Sequence, residues 1–235
     1  MLILIGTGIN FDLTLGGMEA LEDSNEIYIE TYTNLIENEK IEKLESKIGK
    51  KIKKLERKDV ESNFLIKRAS EKKVALLVSG DPLTATTHVS LLLDAKKAKI
   101  AVKVLHNSSI YTSAAGVTGL QIYRFGKTAS LVNPRENYAP KSSLEVIRKN
   151  LENNMHSLVL LDTEPKPMEA VKALEMLKEF DYAIVLSRVG EENEKIIYGK
   201  ISDIIRKNLG SPPFTIIIPA KLHIVEEEYL DNFKV

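Results

Sequence analysis

The run Val74-Ala75-Leu76-Leu77-Val78, followed at once by Ser79-Gly80-Asp81-Pro82-Leu83-Thr84-Ala85-Thr86-Thr87-His88, constrains the fold more than any other stretch. Five consecutive apolar residues read as a strand covered on both faces, the habit of parallel sheets. Val89 to Ala98 then reads as a helix. Proline cannot donate to a ladder but suits a helix's first turn, and Asp or Thr can cap one. Asp81-Pro82 is therefore expected to stop the strand and seed the helix. Open α/β sheets bind ligands at the carboxyl ends of their parallel strands. Small hydroxyl residues and one carboxylate there let a ligand approach the backbone closely. The same residues also suit an ordinary strand-to-helix turn.

The pattern recurs along the first half. Leu2-Ile3-Leu4-Ile5 is a short strand closed by Gly6-Thr7-Gly8, with a helix expected through Gly17-Met18-Glu19-Ala20-Leu21. The dinucleotide fingerprint needs a third glycine where Phe11 stands, so a nicotinamide-dehydrogenase reading fails, and no phosphate-cradling P-loop pattern occurs. Glu26 to Glu30 alternates as a second strand. Residues 36–58 are dense in Lys and Glu, with Ile41, Leu44 and Ile48 at helical spacing, which predicts a solvated helix face. Lys51 to Glu56 is expected to be a short edge strand whose lysines discourage edge pairing. Val60 to Lys72 reads as one amphipathic helix, capped by Asp59, offering Phe64, Leu65, Ile66 and Ala69 to the core. Ile100 to Leu105 is the next strand. His106-Asn107-Ser108-Ser109-Ile110 then opens a small-residue helix whose free N–H groups can meet a ligand.

Strand–helix alternation predicts a parallel α/β domain over residues 1–112. From 113 on, a second α/β domain with a mixed sheet is expected. Gly116 to Gly119 breaks the helix, Thr128 to Val132 is a strand and Pro134 to Pro140 a polar loop. Helices are expected at Ser143–Leu151, Met168–Phe180, Ile201–Leu209 and in the tail from Val225 to Leu230. Strands are expected at Ser157–Leu161, Tyr182–Ser187 and Phe214–Ile218, and Lys195–Gly199 as an antiparallel neighbour.

Composition narrows the function. The 235 residues carry 33 Lys+Arg against 33 Asp+Glu, and such a balance argues against a general nucleic-acid binder. There is no Cys, which excludes disulfides, thiolate nucleophiles and zinc–thiolate sites. No two histidines stand at metal-ligand spacing, so no metal is expected. No apolar run approaches ~18 residues and the start lacks a signal-peptide pattern, so the chain reads as cytoplasmic with no membrane span. Abundant paired Lys and Glu without Cys or Trp suits a heat-adapted cytoplasm.

Several strand ends together resemble one superfamily. Ile5-Gly6-Thr7-Gly8 with Asp12-Leu13-Thr14, the Gly80-Asp81-Pro82 loop and the Gly116-Val117-Thr118-Gly119 break resemble the tetrapyrrole methylases, the class III S-adenosylmethionine methyltransferases. Within that superfamily four details look like the diphthine synthase family. They are Glu30-x-Tyr32-Thr33; Gly80-Asp81-Pro82-Leu83-x-Ala85-Thr86-Thr87-His88; Ser109-Ile110-Tyr111 running through Gly116-x-Thr118-Gly119-Leu120 to Tyr123-x-Phe125-Gly126-Lys127; and Pro219-x-Lys221-Leu222-His223. The resemblance covers nearly the whole chain.

What this resemblance implies is two α/β domains with the cofactor cleft between them, a homodimer, and S-adenosyl-L-methionine as methyl donor. The implied substrate is translation elongation factor 2, on whose 3-amino-3-carboxypropyl-histidine the amine is methylated. Archaeal members stop at the trimethylammonium product, and eukaryotic members also form a methyl ester. Carried over by motif position, the cofactor contacts fall on Ile9, Asp81, Thr84, Ser109, Ile110, Leu161, Val189 and Phe214. At Thr84, Val189 and Phe214 the contact is one that backbone can make. No catalytic residue is assigned.

Other readings of individual residues stay open at this level. Asp81 suits either the donor's ammonium group or a ribose hydroxyl, or a plain helix cap. His88 and His106 can serve as acid or base near neutral pH, or satisfy local hydrogen bonds. His223 reads as structural and His156 has no supporting context. Tyr32 or Tyr111 can face a quaternary ammonium product. Arg124 and Lys127 suit either an acidic partner surface or a solvated face, and Asp162 and Glu164 either a substrate contact or turn chemistry. Two rival functions remain: a corrinoid methyltransferase of the same superfamily, and a non-catalytic nucleotide-binding regulator on the same scaffold.

Overall fold

A computed structural model describes residues 1–134, 142–164 and 166–235. Beyond Pro134, the predicted polar loop falls outside these residues. The chain forms two compact units, Met1–Ile110 and Tyr111–Val235.

In the first unit strands and helices alternate: β1 (Leu2–Gly6), α1 (Leu15–Glu22), β2 (Glu26–Glu30), α2 (Asn38–Ile48), β3 (Ile52–Leu55), α3 (Arg57–Val60), α4 (Phe64–Glu71), β4 (Val74–Val78), α5 (Val89–Lys97) and β5 (Val102–Leu105). The five strands form one parallel sheet in the order β3-β2-β4-β1-β5. Every residue of β1 and β4 is buried, because helices cover both faces. The side-chain period of two divides the apolar runs cleanly. Leu2, Leu4, Leu76 and Val78 face Leu65 and Ala69 of α4 and Leu91 of α5. Ile3, Ile5, Ala75 and Leu77 face Ala20 and Leu21 of α1 and Ile41 and Leu44 of α2.

The order of strands fixes where a ligand can enter. From β1 the chain leaves through α1 on one face toward β2. From β4 it leaves through α5 on the opposite face and crosses β1 to reach β5. The carboxyl ends of the adjacent strands β1 and β4 therefore form the topological switch point of this sheet. The predicted edge strand is β3, with Lys53 and Lys54 exposed.

The second unit opens in α6 (Ile110–Thr118), whose first residue closes the first unit. A 3-10 turn at Ile122–Arg124 follows, then β6 (Ala129–Leu131), α7 (Ser142–Glu152), β7 (Ser157–Leu161), α8 (Ala170–Met176), β8 (Tyr182–Ser187), β9 (Lys195–Lys200), α9 (Ile201–Ile204), β10 (Phe214–Ile218) and α10 (Ile224–Leu230). The sheet runs β6-β7-β10-β8-β9 and is mixed. Among the described residues only β6 and β7 pair in parallel, and β10 is inserted antiparallel between β7 and β8. Its core packs Val159, Val185, Phe214, Ile216 and Ile218 against Ile147, Ala173, Leu174 and Ile204 from the helices.

Three predicted helices differ from those observed. The single helix expected over Val60–Lys72 is two, α3 and α4, and Phe64 stays partly exposed. Asp59 does not precede a helix. It lies inside α3, where its carboxylate accepts from the Glu56 N–H at 3.1 Å. The helices expected at Met168–Phe180 and Ile201–Leu209 are confined to α8 and α9, since apolar spacing continues through turns that are not helical.

Candidate functional site

Three loops meet at the carboxyl ends of β1, β4 and β5. Gly6-Thr7-Gly8 continues β1 alongside β4: Thr7 N–H donates to Val78 O at 2.8 Å, and Gly8 and Gly80 exchange N–H···O bonds of 3.1 Å. This approach is why Gly6 is glycine. A Cβ there would stand 2.5 Å from the Gly80 carbonyl oxygen. Gly80 itself has φ +69°, a conformation other residues resist. The β5 end is tied in by Asn107, whose side-chain amide donates to Gly6 O at 3.0 Å and Asp12 O at 2.8 Å. Ile9 N–H donates to Ser108 Oγ at 3.2 Å.

Asp81 is the hub. Its Oδ1 accepts from Leu83 N–H at 3.0 Å and Thr84 Oγ1 at 3.2 Å. Its Oδ2 accepts from His106 Nδ1 at 2.7 Å and Asn107 N–H at 3.3 Å. Burial pushes the carboxyl up, but the donors from Leu83, His106, Asn107 and Thr84 together outweigh it and hold the group below its ordinary value. A carboxylate offers about four acceptor directions, and four donors use them. Asp81 thus organises the loop from within and does not cap α5, which starts only at Val89. Asp81-Pro82 ends the strand as an Asx turn and seeds no helix, because the turn and bend residues 83–88 separate it from Val89, where α5 begins.

The rest of that loop seals itself. Pro82 O accepts from Thr86 Oγ1 at 2.7 Å and lies 3.0 Å from His88 Nδ1. A carbonyl only accepts, so Nδ1 carries the proton and Nε2, 3.2 Å from Tyr32 Oη, accepts from that hydroxyl. His88 is buried with both nitrogens engaged. Tyr32 is buried too, and the Arg57 guanidinium lies 5.0 Å from its ring centroid. That face already holds a cation of the protein's own, which speaks against Tyr32 as a cage for a quaternary ammonium product. Glu30 explains the Glu-x-Tyr-Thr motif: fully buried, it accepts from the N–H groups of Tyr32 at 3.2 Å and Thr33 at 3.1 Å.

Of the predicted contact residues, Ile9, Asp81, Thr84, Ser109 and Ile110 come together around these loops. Ser109 is buried and Ile110 is the first residue of α6. In the second unit Leu161 ends β7, Val189 follows β8 by two residues, and Phe214 begins β10 opposite Ser187. These three therefore share one end of the mixed sheet. The Phe214 side chain belongs to that unit's core, so only its backbone is available to a ligand.

Residues 1–205 match the family model of tetrapyrrole (corrin/porphyrin) methylases. A diphthine synthase of Methanocaldococcus jannaschii is 43% identical, with 98% of this chain and 97% of that protein covered. The chain belongs to the diphthine synthase family of tetrapyrrole methylases. A relative of the same name from Methanothermobacter thermautotrophicus is 38% identical, with 98% and 94% covered. A crystal structure of diphthine synthase superposes with a TM-score of 0.91 at 34% identity, covering 99% of this chain and 95% of that one. As a methyltransferase of the diphthine synthase family, the protein employs an S-adenosylmethionine-type methyl donor.

The first unit's loops fit such a donor. Residues 6–12, 79–88 and 106–110 carry no lysine or arginine, and they carry Asp12 and Asp81, which suits a positively charged sulfonium. When bound, the donor supplies an activated methyl group. Ile9, Thr84, Ser109 and Ile110 would hold it in this unit, with Asp81 setting the loop from which Thr84 projects.

One predicted role is corrected by the second unit, and a histidine gains its context there. Arg124 meets no open surface: largely buried, it pairs with Glu226 and donates to Lys221 O at 2.6 Å. His156, without context in the sequence, is fully buried. Its Nδ1 accepts from Ala220 N–H at 3.0 Å, and its Nε2 lies 3.3 Å from Glu226 Oε1. Asp162 does turn chemistry, accepting from Asn133 N–H at 3.0 Å and Glu164 N–H at 3.2 Å.

Proposed function

We propose that the chain transfers methyl groups from S-adenosyl-L-methionine to the amino group of the 3-amino-3-carboxypropyl-histidine of translation elongation factor 2. Three transfers give diphthine, and the protein works as a cytoplasmic homodimer. The observation that carries this reading is the end-to-end match to relatives named diphthine synthase, 43% identical over 98% of the chain. The donor-contact set is Ile9, Thr84, Ser109 and Ile110 in the first unit, where Asp81 organises the loop that carries Thr84, and Leu161, Val189 and Phe214 in the second.

The chemistry needs little covalent help. A displacement at a methyl carbon requires nitrogen, carbon and sulfur in line and water kept out. Holding reactants in such an arrangement supplies ~7–11 kcal/mol at best. Switch-point loops stitched together by Asn107 and Asp81 offer that rigidity.

The test is mass spectrometry of elongation factor 2 carrying the modified histidine, incubated with the protein and S-adenosyl-L-methionine. A gain of three methyl groups on that residue is expected. Methylation of a precorrin instead, with the elongation factor unchanged, would move the chain to the corrinoid branch. In parallel, calorimetry with S-adenosylhomocysteine is expected to show binding that Asp81→Ala weakens at least about tenfold, the equivalent of about 1.4 kcal/mol.

A further inference from the structure

We propose that His106 is the base that takes the proton from the substrate amine, and that Asp81 is the positioning residue that aims it. The proposal rests on the amine-methylation reading above and adds the group that reading leaves unnamed.

Of the four histidines, two have both ring nitrogens bonded: His88 and His156 are buried. His223 belongs to the second unit, where it precedes α10 and its backbone N–H donates to Glu226 at 2.8 Å. His106 differs. It stands at the carboxyl end of β5, beside the switch-point loops, with its side chain 65% exposed. Its Nδ1 is 2.7 Å from Asp81 Oδ2. An ionised carboxylate has no proton to give, so Nδ1 must carry the hydrogen. In the neutral ring Nε2 is then bare and basic, with no partner among the described residues. A carboxylate fixing an imidazole by one nitrogen and leaving the other free is the arrangement that makes histidine a general base.

Asp81 is the ionised group against the ring. Its own neighbours Asn107, Ser108 and Ser109 are neutral, and neither residues 79–88 nor 106–110 contain lysine or arginine to oppose a positive imidazole.

The proton balance asks for such a group. At neutral pH the substrate amine is mostly an ammonium ion with no lone pair to attack. Transfer of its proton to Nε2 leaves the electron pair on nitrogen and a charge on the imidazolium, which Asp81 offsets. Each of three methylations releases one proton in this way. Because the ring is exposed, the imidazolium returns its proton to water between rounds.

The experiment compares wild type with His106→Gln and His106→Ala. Expected in His106→Gln are a fall in kcat of about 10²–10³-fold, loss of the lower limb of the kcat/KM pH profile, and S-adenosylhomocysteine affinity within about threefold of wild type. Added imidazole should partly restore His106→Ala. A kcat within about threefold and an unaltered pH profile would overturn the proposal. So would a loss of rate matched by equal loss of S-adenosylhomocysteine affinity without imidazole rescue. Nitrogen-15 spectra of the histidine rings give a readout apart from activity: the neutral His106 ring should show protonated Nδ1 and bare Nε2, and the opposite tautomer sinks the base assignment. Wild type inactive on modified elongation factor 2 would instead count against the substrate reading, and the tautomer would still decide the dyad.

Discussion

At the scale of single residues, the space around a glycine separates function from filler. Gly6 and Gly16 differ by ten positions and look alike in the sequence. A Cβ on Gly6 would meet Gly80 O at 2.5 Å and both Asn107 Cβ and Pro82 Cδ at 3.0 Å, whereas one on Gly16 meets nothing within 4 Å. Gly6→Ala must push β1 and β4 apart where their loops exchange hydrogen bonds. We expect it to lower S-adenosylhomocysteine affinity at least about tenfold and to reduce stability by about 1–3 kcal/mol, as overpacking does. Gly16→Ala lies in the first turn of α1, where alanine is the better helix former, and should raise stability by up to about 1 kcal/mol with affinity unchanged. Calorimetry and urea unfolding of the two variants read both effects. A strand followed by Gly-x-Gly is visible in the sequence. That the first glycine is required by a carbonyl seventy-four positions away is not, because nothing local records the Gly6–Gly80 approach.

At the scale of elements, the second unit ties α10 to the segment before β6 through a buried ionic knot. Glu226 is fully buried and accepts from Gln121 N–H at 3.0 Å, His223 N–H at 2.8 Å, Arg124 and His156. Removing it strands a buried guanidinium and an imidazole, so Glu226→Ala should cost about 3–5 kcal/mol in urea unfolding. The knot also makes stability fall with acid. Burial is the chief cause holding the His156 ring below the ordinary imidazole value of 6.5, against the pull of Glu226. As pH drops through that value the unfolded chain takes up a proton that the folded ring refuses, so stability is lost downward from about pH 6.5. Glu226 is raised by burial but lowered more by its N–H donors and His156, so it adds a second loss on further acidification below the ordinary carboxylate value of 4.5. Urea midpoints measured from pH 7.5 to 5 should decline, and His156→Gln should flatten the upper part of that decline. The periodicities that predict β7 and α10 are plain in the sequence. The knot joining them is not, since Arg124, His156 and Glu226 share no motif and lie up to about a hundred residues apart. Helix lengths misled for a related reason: Val60–Lys72 keeps its apolar spacing across the break between α3 and α4, and only backbone hydrogen bonds reveal the turn.

At the scale of the whole molecule, charge balance predicts how the protein behaves in solution. Acidic and basic residues number 33 each, and the sequence holds only 4 histidines. Carboxylates are ionised well below pH 6 and lysines stay protonated to about pH 9.5, given ordinary values near 4 and 10.4. Net charge therefore sits near zero over a broad range of pH. With pI near 6.9, a protein of more usual histidine and cysteine content would show a narrow solubility minimum. Here the minimum should spread as a plateau from about pH 6.5 to about 9, because so little titrates across it. Added salt should raise solubility throughout the plateau by screening attraction between oppositely charged surface groups on neighbouring molecules. Precipitation by polyethylene glycol across that range, at low and moderate salt, measures both. A sharp minimum at one pH would show that a few clustered charges, and not the overall balance, govern association.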